Sequence, residues 1–313
     1  MNRPMSQDMR AATPLQDALA TVGALILGKE SRIKLAFACL LARGHLLIED
    51  LPGVGKTTLA QALARTLGLD YSRVQFTSDL LPTDILGVSL YDAANAEFEF
   101  HPGPVFAQLV LADEVNRASP KTQSALLEAM EERQVTIDGA TRTLPEPFFV
   151  IATQNPADHA GTFPLPESQL DRFLMRIDLG YPPADAERAL LSERSRRELL
   201  AEQRPVMTAE DVIELQAAVD RIRVSDALLD YLLDLIRQSR ESGAFLQGLS
   251  PRAGLALRRA AQAWAMLEDR DYVLPEDVQA VLPAVVDHRL QPADGEPAAT
   301  PPSTRLREAV AIP

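Results

Sequence analysis

The stretch Glu49-Asp-Leu-Pro-Gly-Val-Gly-Lys-Thr57 constrains the fold more than any other part of the chain. It follows the apolar run Leu46-Leu47-Ile48 and precedes the helix-prone run Thr58-Leu59-Ala60-Gln61-Ala62-Leu63, so the local order is strand, glycine-containing loop, helix. Backbone N–H groups of such a loop and of the helix start lack intrahelical partners and lie at the positive end of the helix dipole, which makes them donors to phosphate oxygens. Pro52, Gly53, Val54, Gly55, Lys56, Thr57 and Thr58 are therefore the candidate nucleotide-binding set, with Lys56 reaching the outer phosphates and Thr57 holding Mg2+. The consensus G-x-x-x-x-G-K-[ST] asks for glycine where this chain has Asp50. The half of the loop that contacts phosphate is intact. The expected ligands are ATP, or another nucleoside triphosphate, and Mg2+.

A second site-bearing segment is Leu109-Val-Leu-Ala-Asp-Glu114. An apolar strand ending in two acids delivers both carboxylates to the carboxyl end of a parallel sheet, where ligands bind in open α/β folds. Asp113 would hold Mg2+, and Glu114 would orient or deprotonate the attacking water. Phe148-Phe-Val-Ile-Ala-Thr153 reads as another buried strand, followed by Gln154-Asn155-Pro156; Asn155 could hydrogen-bond the water or the terminal phosphate. Ile26, Leu27 and Gly28 are candidates for an adenine pocket, although a helix terminus at Gly28 fits the same residues. Arg172 offers a rigid fork of donors for transition-state charge; sequence alone favours reading it as a surface ion pair.

With 31 basic against 44 acidic residues and a net charge of −13, the chain does not resemble a surface built to neutralise nucleic-acid phosphates. No apolar run is long enough to span a bilayer, and nothing at the N-terminus resembles a signal peptide, so a cytoplasmic location is expected. Cys39 is the single cysteine and sits in an apolar helical stretch, as a small core residue would. His45, His101, His159 and His288 are scattered without metal-ligand spacing.

Two hairpins interrupt the α/β pattern. Gly87-Val-Ser-Leu-Tyr91 and Glu97-Phe-Glu-Phe100 flank one turn, whose tip is a candidate partner surface, and Asp138-Gly139 marks the other. Ser119-Pro120 opens a helix through Glu132. Beyond about residue 181, helix follows helix. A charged helix spans Asp185 to Gln203, and a capping box at Thr208-Ala-Glu-Asp211 starts the next. Ser225 and Ser250-Pro251 cap two more, and Pro275 opens a final helix through Val285.

Gly53-Val-Gly-Lys-Thr57, Leu111-Ala-Asp-Glu-Val-Asn-Arg-Ala118, Lys121-Thr-Gln-Ser-Ala-Leu-Leu-Glu-Ala-Met-Glu131, Ala152-Thr-Gln-Asn-Pro156 and Gln169-Leu-Asp-Arg-Phe173 occur in this order. Together they resemble the MoxR family of AAA+ ATPases. The resemblance implies an α/β P-loop core with a parallel sheet and two inserted β-hairpins, followed by an all-α lid. Residues 1–14 would then be a flexible tail, 15–181 the ATPase core, 182–291 the lid and 292–313 a second flexible tail. It further implies a homo-oligomeric ring, usually a hexamer, that works on a protein client with a von Willebrand factor A domain partner. By position, Asn155 would be the first sensor, Arg172 a finger acting in trans and Arg252 the second sensor, acting in cis or in trans; Arg117 and Arg176 lie nearby without an assigned role. A helicase-type motor on nucleic acid and a metal-chelatase motor subunit are the competing readings. A scaffold that binds ATP without cleaving it is disfavoured by Glu114.

Overall fold

A computed structural model describes residues 7–156, 161–192, 196–293 and 300–312; His159 lies outside these. Two helices, α1 (Gln7–Leu25) and α2 (Glu30–Leu41), lead into strand β1 (Leu46–Glu49), the phosphate-loop region and α3 (Lys56–Thr66). Next come β2 (Tyr71–Gln75), the short α4 (Pro82–Leu86) and the hairpin β3 (Gly87–Asp92) with β4 (Glu97–Pro102). They are followed by β5 (Leu109–Asp113) and α5 (Pro120–Glu132), the latter capped by Ser119, and by the second hairpin, β6 (Gln134–Ile137) with β7 (Ala140–Thr143). The core ends with β8 (Phe149–Gln154), one turn of helix α6 (Glu167–Leu170) and β9 (Met175–Ile177).

Five strands form one parallel sheet in the order β2-β5-β8-β1-β9, and each hairpin stands apart as a two-stranded sheet. The period-two rule explains how strands of three to six residues can hold so much together. Leu46, Ile48, Leu109, Leu111, Phe149 and Ile151 point into one apolar core with α1, α2 and α3. Their neighbours Leu47, Val110, Ala112, Val150 and Ala152 point into a second core with Leu126, Leu127 and Met130 of α5. The central strands are thus buried on both faces.

The lid comprises α7 (Ala184–Ser192), α8 (Arg196–Glu202), α9 (Ala209–Val219), α10 (Asp226–Glu241), α11 (Pro251–Leu267), α12 (Pro275–Val286) and α13 (Pro302–Ala309). Its caps are those expected: Thr208 and Asp211 form a capping box, and the Ser225 and Ser250 hydroxyls accept from Leu228 and Ala253 N–H. The lid is welded to the core through α2, where Lys34 pairs with Glu268 at 2.5 Å and Gln216 donates to the Leu40 carbonyl at 2.8 Å.

The ends of the chain differ from expectation. Residues 7–14, expected in a flexible tail, belong to α1. Residues 302–309, expected in the other, form α13, with Leu306 buried and Ser303 bonded to Asp287, so α12 is not the last helix. Proline at the first helical position and one buried leucine outweigh the Pro/Ala-rich composition that suggested disorder. The single helix expected from Asp185 to Gln203 appears as α7 and α8, with residues 193–195 outside those described. Among the described residues, no helix is long and apolar enough to cross a membrane.

Candidate active site

The loop after β1 takes its shape from two glycines. Gly53 and Gly55 have φ of +84° and +102°, and a Cβ added at either would meet nothing within 4 Å. Backbone conformation, not space, demands glycine there, and the open backbone suits a phosphate group. Lys56 begins α3, and its Nζ donates to the Asp50 carbonyl at 2.5 Å. Burial lowers the Lys56 pKa, while Asp50, Asp113 and Glu114 oppose that shift, so the three acids lie within electrostatic reach of the loop lysine.

Asp113 and Glu114 reach the loop because β5 lies between β2 and β8. The Asp113 carboxylate accepts from the Thr153 hydroxyl at 2.6 Å and from Arg73 Nη2 at 2.7 Å. Glu114 sits just past the strand with φ +57°, and its N–H donates to Thr153 Oγ1 at 2.9 Å. The Glu114 carboxylate accepts from Gln75 Nε2 and Arg117 Nη1, both at 2.8 Å. Asn155 directly follows β8, one strand from β5. The residues therefore fit a nucleotide with Mg2+: an open glycine loop with a lysine, Thr57 next to it in the chain and Asp113 within electrostatic reach of that lysine. Gly28, φ +68°, packs against Pro183 at the start of the lid, with Ile26 buried.

Arg172 and Arg252 are elsewhere. Arg172 Nε bonds one oxygen of Glu131 at 3.0 Å, and Arg252 Nη1 bonds the other at 2.7 Å. Both line a cavity of about 500 Å3 together with Gly44 and His45, which precede β1, and Leu174, which precedes β9. The cavity is therefore at the amino ends of the strands, whereas the phosphate loop is at the carboxyl ends. His45 and Asp50 are separated along β1 by five residues of extended chain, roughly 16 Å. Seven arginines and three carboxylates line the cavity, an excess of positive charge in an acidic chain. Burial first, and then Arg43, lowers the Arg133 pKa. Beneath the arginines, buried His45 accepts from Val150 N–H at Nδ1, at 3.0 Å; the ring proton is then on Nε2, 3.2 Å from the Met130 carbonyl.

Residues 45–175 match the family model described as ATPase family associated with various cellular activities (AAA), and residues 237–309 match an AAA lid domain. The chain is 48% identical to the uncharacterized protein YeaC of Bacillus subtilis, over 88% of this chain and 86% of that one. It is 42% identical to Chaperone MoxR1 of Mycobacterium tuberculosis, over 88% and 75% of the two chains. The chain belongs to the MoxR family of AAA+ ATPases. A crystal structure of a candidate ATPase from Cytophaga hutchinsonii, 35% identical, superposes with a TM-score of 0.88 over 98% of this chain and 97% of that one. MoxR membership makes nucleotide binding the expected business of the Gly53–Thr57 loop.

Sequence reasoning missed several contacts within this MoxR chain. Gln75 and Arg73 lie on β2 opposite the acids, and the register Gln75 against Asp113 puts them there. Arg117 and Arg176, left without roles, pair with Glu114 and Glu49, each at 2.8 Å. Glu131 appeared in a motif, but nothing local indicated that it would hold two arginines from distant segments.

Proposed function

We propose that this protein is a Mg2+-dependent ATPase that works as a homo-oligomeric ring, a hexamer by family resemblance, and uses hydrolysis to remodel or activate a protein client. The observation that carries the reading is the separation of two charge sets. Lys56, Asp113 and Glu114 serve the carboxyl end of the sheet, while Arg172 and Arg252 share Glu131 at the amino end. A head-to-tail contact between subunits would bring one subunit's arginines to its neighbour's phosphate loop, and such heterologous contacts close into rings. Arg172 is then the finger and Arg252 the second sensor, both in trans.

In this assignment Lys56 and the loop N–H groups orient the phosphates, and Thr57 and Asp113 hold Mg2+, which neutralises phosphate charge. Glu114 orients the attacking water, and Asn155 detects the terminal phosphate. Positioning and charge stabilisation supply the catalysis of in-line attack. The relative MoxR1 is named a chaperone, which supports the client role; a von Willebrand factor A domain partner and a cytoplasmic location complete the proposal. The hairpin β3–β4 exposes Leu90, Tyr91 and Phe98 and is the surface assigned to client contact.

Subunit mixing tests the ring reading. Lys56→Ala and Arg172→Ala chains, each inactive, should regain turnover when combined, because some interfaces then pair an intact loop with an intact arginine. No recovery, in mixtures where native-gel analysis finds mixed rings, would sink the trans assignment. The partner is tested by whether a von Willebrand factor A domain protein co-purifies with the Glu114→Gln chain only in MgATP.

A further inference from the structure

The residue that breaks the phosphate-loop consensus, Asp50, is buried, and its carboxylate is fully engaged. One oxygen accepts from Leu51 N–H at 2.7 Å. The other accepts from the N–H groups of Leu179 and Gly180, each at 2.6 Å. Those two residues belong to the segment between β9 and α7, the chain's passage from core to lid. The same segment is held by Arg32 on Asp178 at 2.5 Å and by the buried Lys29 on the Tyr181 carbonyl at 2.5 Å.

The backbone of Asp50 is tied to the active site. Its carbonyl accepts from Lys56, the lysine assigned to the outer phosphates. Its N–H bonds the Gln154 carbonyl at 3.2 Å, immediately before Asn155. A glycine at this position could make both backbone contacts and none of the side-chain ones. We propose that Asp50 is a positioning residue that ties the phosphate loop to the core–lid passage, so that filling the loop is registered at residues 178–181 and at the start of the lid. The inference rests on the nucleotide-site reading above. A displacement of Lys56 or Asn155 changes the setting of Asp50, and its carboxylate is a short, charge-assisted acceptor that carries the change to two backbone amides.

The test compares Asp50→Gly, which restores the consensus, with Asp50→Asn, which keeps an acceptor oxygen. If Asp50 only shaped the loop, glycine would be the benign substitution. The tie predicts the opposite ranking. In full-length protein probed with Mg2+ and a slowly hydrolysed ATP analogue, amide exchange at Leu179 and Gly180 should slow on binding in the native chain. Asp50→Gly should exchange those amides at least about tenfold faster and no longer respond to the analogue. Its analogue affinity should stay within about threefold, and its turnover should fall about tenfold with KM little changed. Asp50→Asn should recover most of the protection and turnover. An Asp50→Gly chain that keeps nucleotide-dependent protection at Leu179 and Gly180, or outperforms Asp50→Asn, overturns the proposal. Lys56→Ala run alongside separates the two readings: if the native chain binds the analogue and Lys56→Ala does not, the nucleotide site stands and the Asp50 variants judge the tie alone. If the native chain binds no analogue, both fall.

Discussion

The two ends of the central sheet carry opposite chemistry. At the carboxyl ends, three acids lie within electrostatic reach of Lys56, which donates to the Asp50 carbonyl; at the amino ends, seven arginines crowd one cavity, two of them on Glu131. The first set can bind a phosphate chain, and the arginines beside it, Arg73 and Arg117, are engaged by Asp113 and Glu114. The second has the cations and no phosphate loop. Parallel strands keep the halves a strand-length apart within one subunit; in the ring proposed above, the pair would become a complete site between subunits. The difference between a cradle and a clamp is thus a matter of which strand end each residue follows.

The largest effect expected is Lys56→Ala, which should weaken ATP binding at least about 10²-fold and remove turnover, read by fluorescent-nucleotide titration and phosphate release. Arg172→Ala should instead lower turnover about 10³–10⁵-fold while leaving the ATP Kd nearly unchanged. The contrast is the point: loss of the cradle abolishes binding, and loss of the clamp abolishes chemistry alone. An Arg172→Ala chain that fails to bind ATP would break the comparison.

The carboxyl end was legible because its residues are contiguous. Gly53 to Thr57 and Asp113-Glu114 each sit at one strand exit, and the hydrophobic runs before them mark the strands. The amino end was not legible in the same way. Glu131, Arg172 and Arg252 come from α5, the loop after α6 and the start of α11 respectively, and only tertiary packing unites them. Asp50 was visible as a departure from a pattern, yet its partners lie about 130 residues along the chain. The chain ends were misread for a different reason: composition suggested tails, whereas Leu306 and Ser303 gain order by packing on the lid.

Mild acid should loosen the amino end before the carboxyl end. Burial, and then Arg133, pushes the His45 pKa down to about 3, and burial with Arg289 lowers His288 well below its usual value. Unfolded histidines titrate near 6.5, so between that pH and the folded values the unfolded chain binds more protons. Stability is therefore complete above about pH 6.5 and falls as the pH drops, by about 1.4 kcal/mol per pH unit for each histidine. Denaturant midpoints between pH 7.5 and 5.5 measure the slope. Exchange of the Val150 amide, which donates to His45, should accelerate more than that of the Glu114 amide, which donates to Thr153; equal acceleration would mean the ends share one response.

The smallest effect expected is Glu131→Gln, and it separates the two meanings of Arg172. The three side chains are partly exposed, so their pairings contribute at most about 1 kcal/mol each to folding. If the pairing is only a surface contact, as sequence alone would allow, Glu131→Gln and Arg172→Ala should act independently on turnover. If Glu131 holds the Arg172 and Arg252 heads side by side for a neighbour's phosphates, Glu131→Gln should slow turnover by less than about tenfold and do nothing further once Arg172 is gone. A double-mutant cycle on turnover, with the denaturation midpoint as control, reads that coupling directly. Additive losses would reduce the clamp to an ordinary ion pair and leave Arg172 to be explained without Glu131.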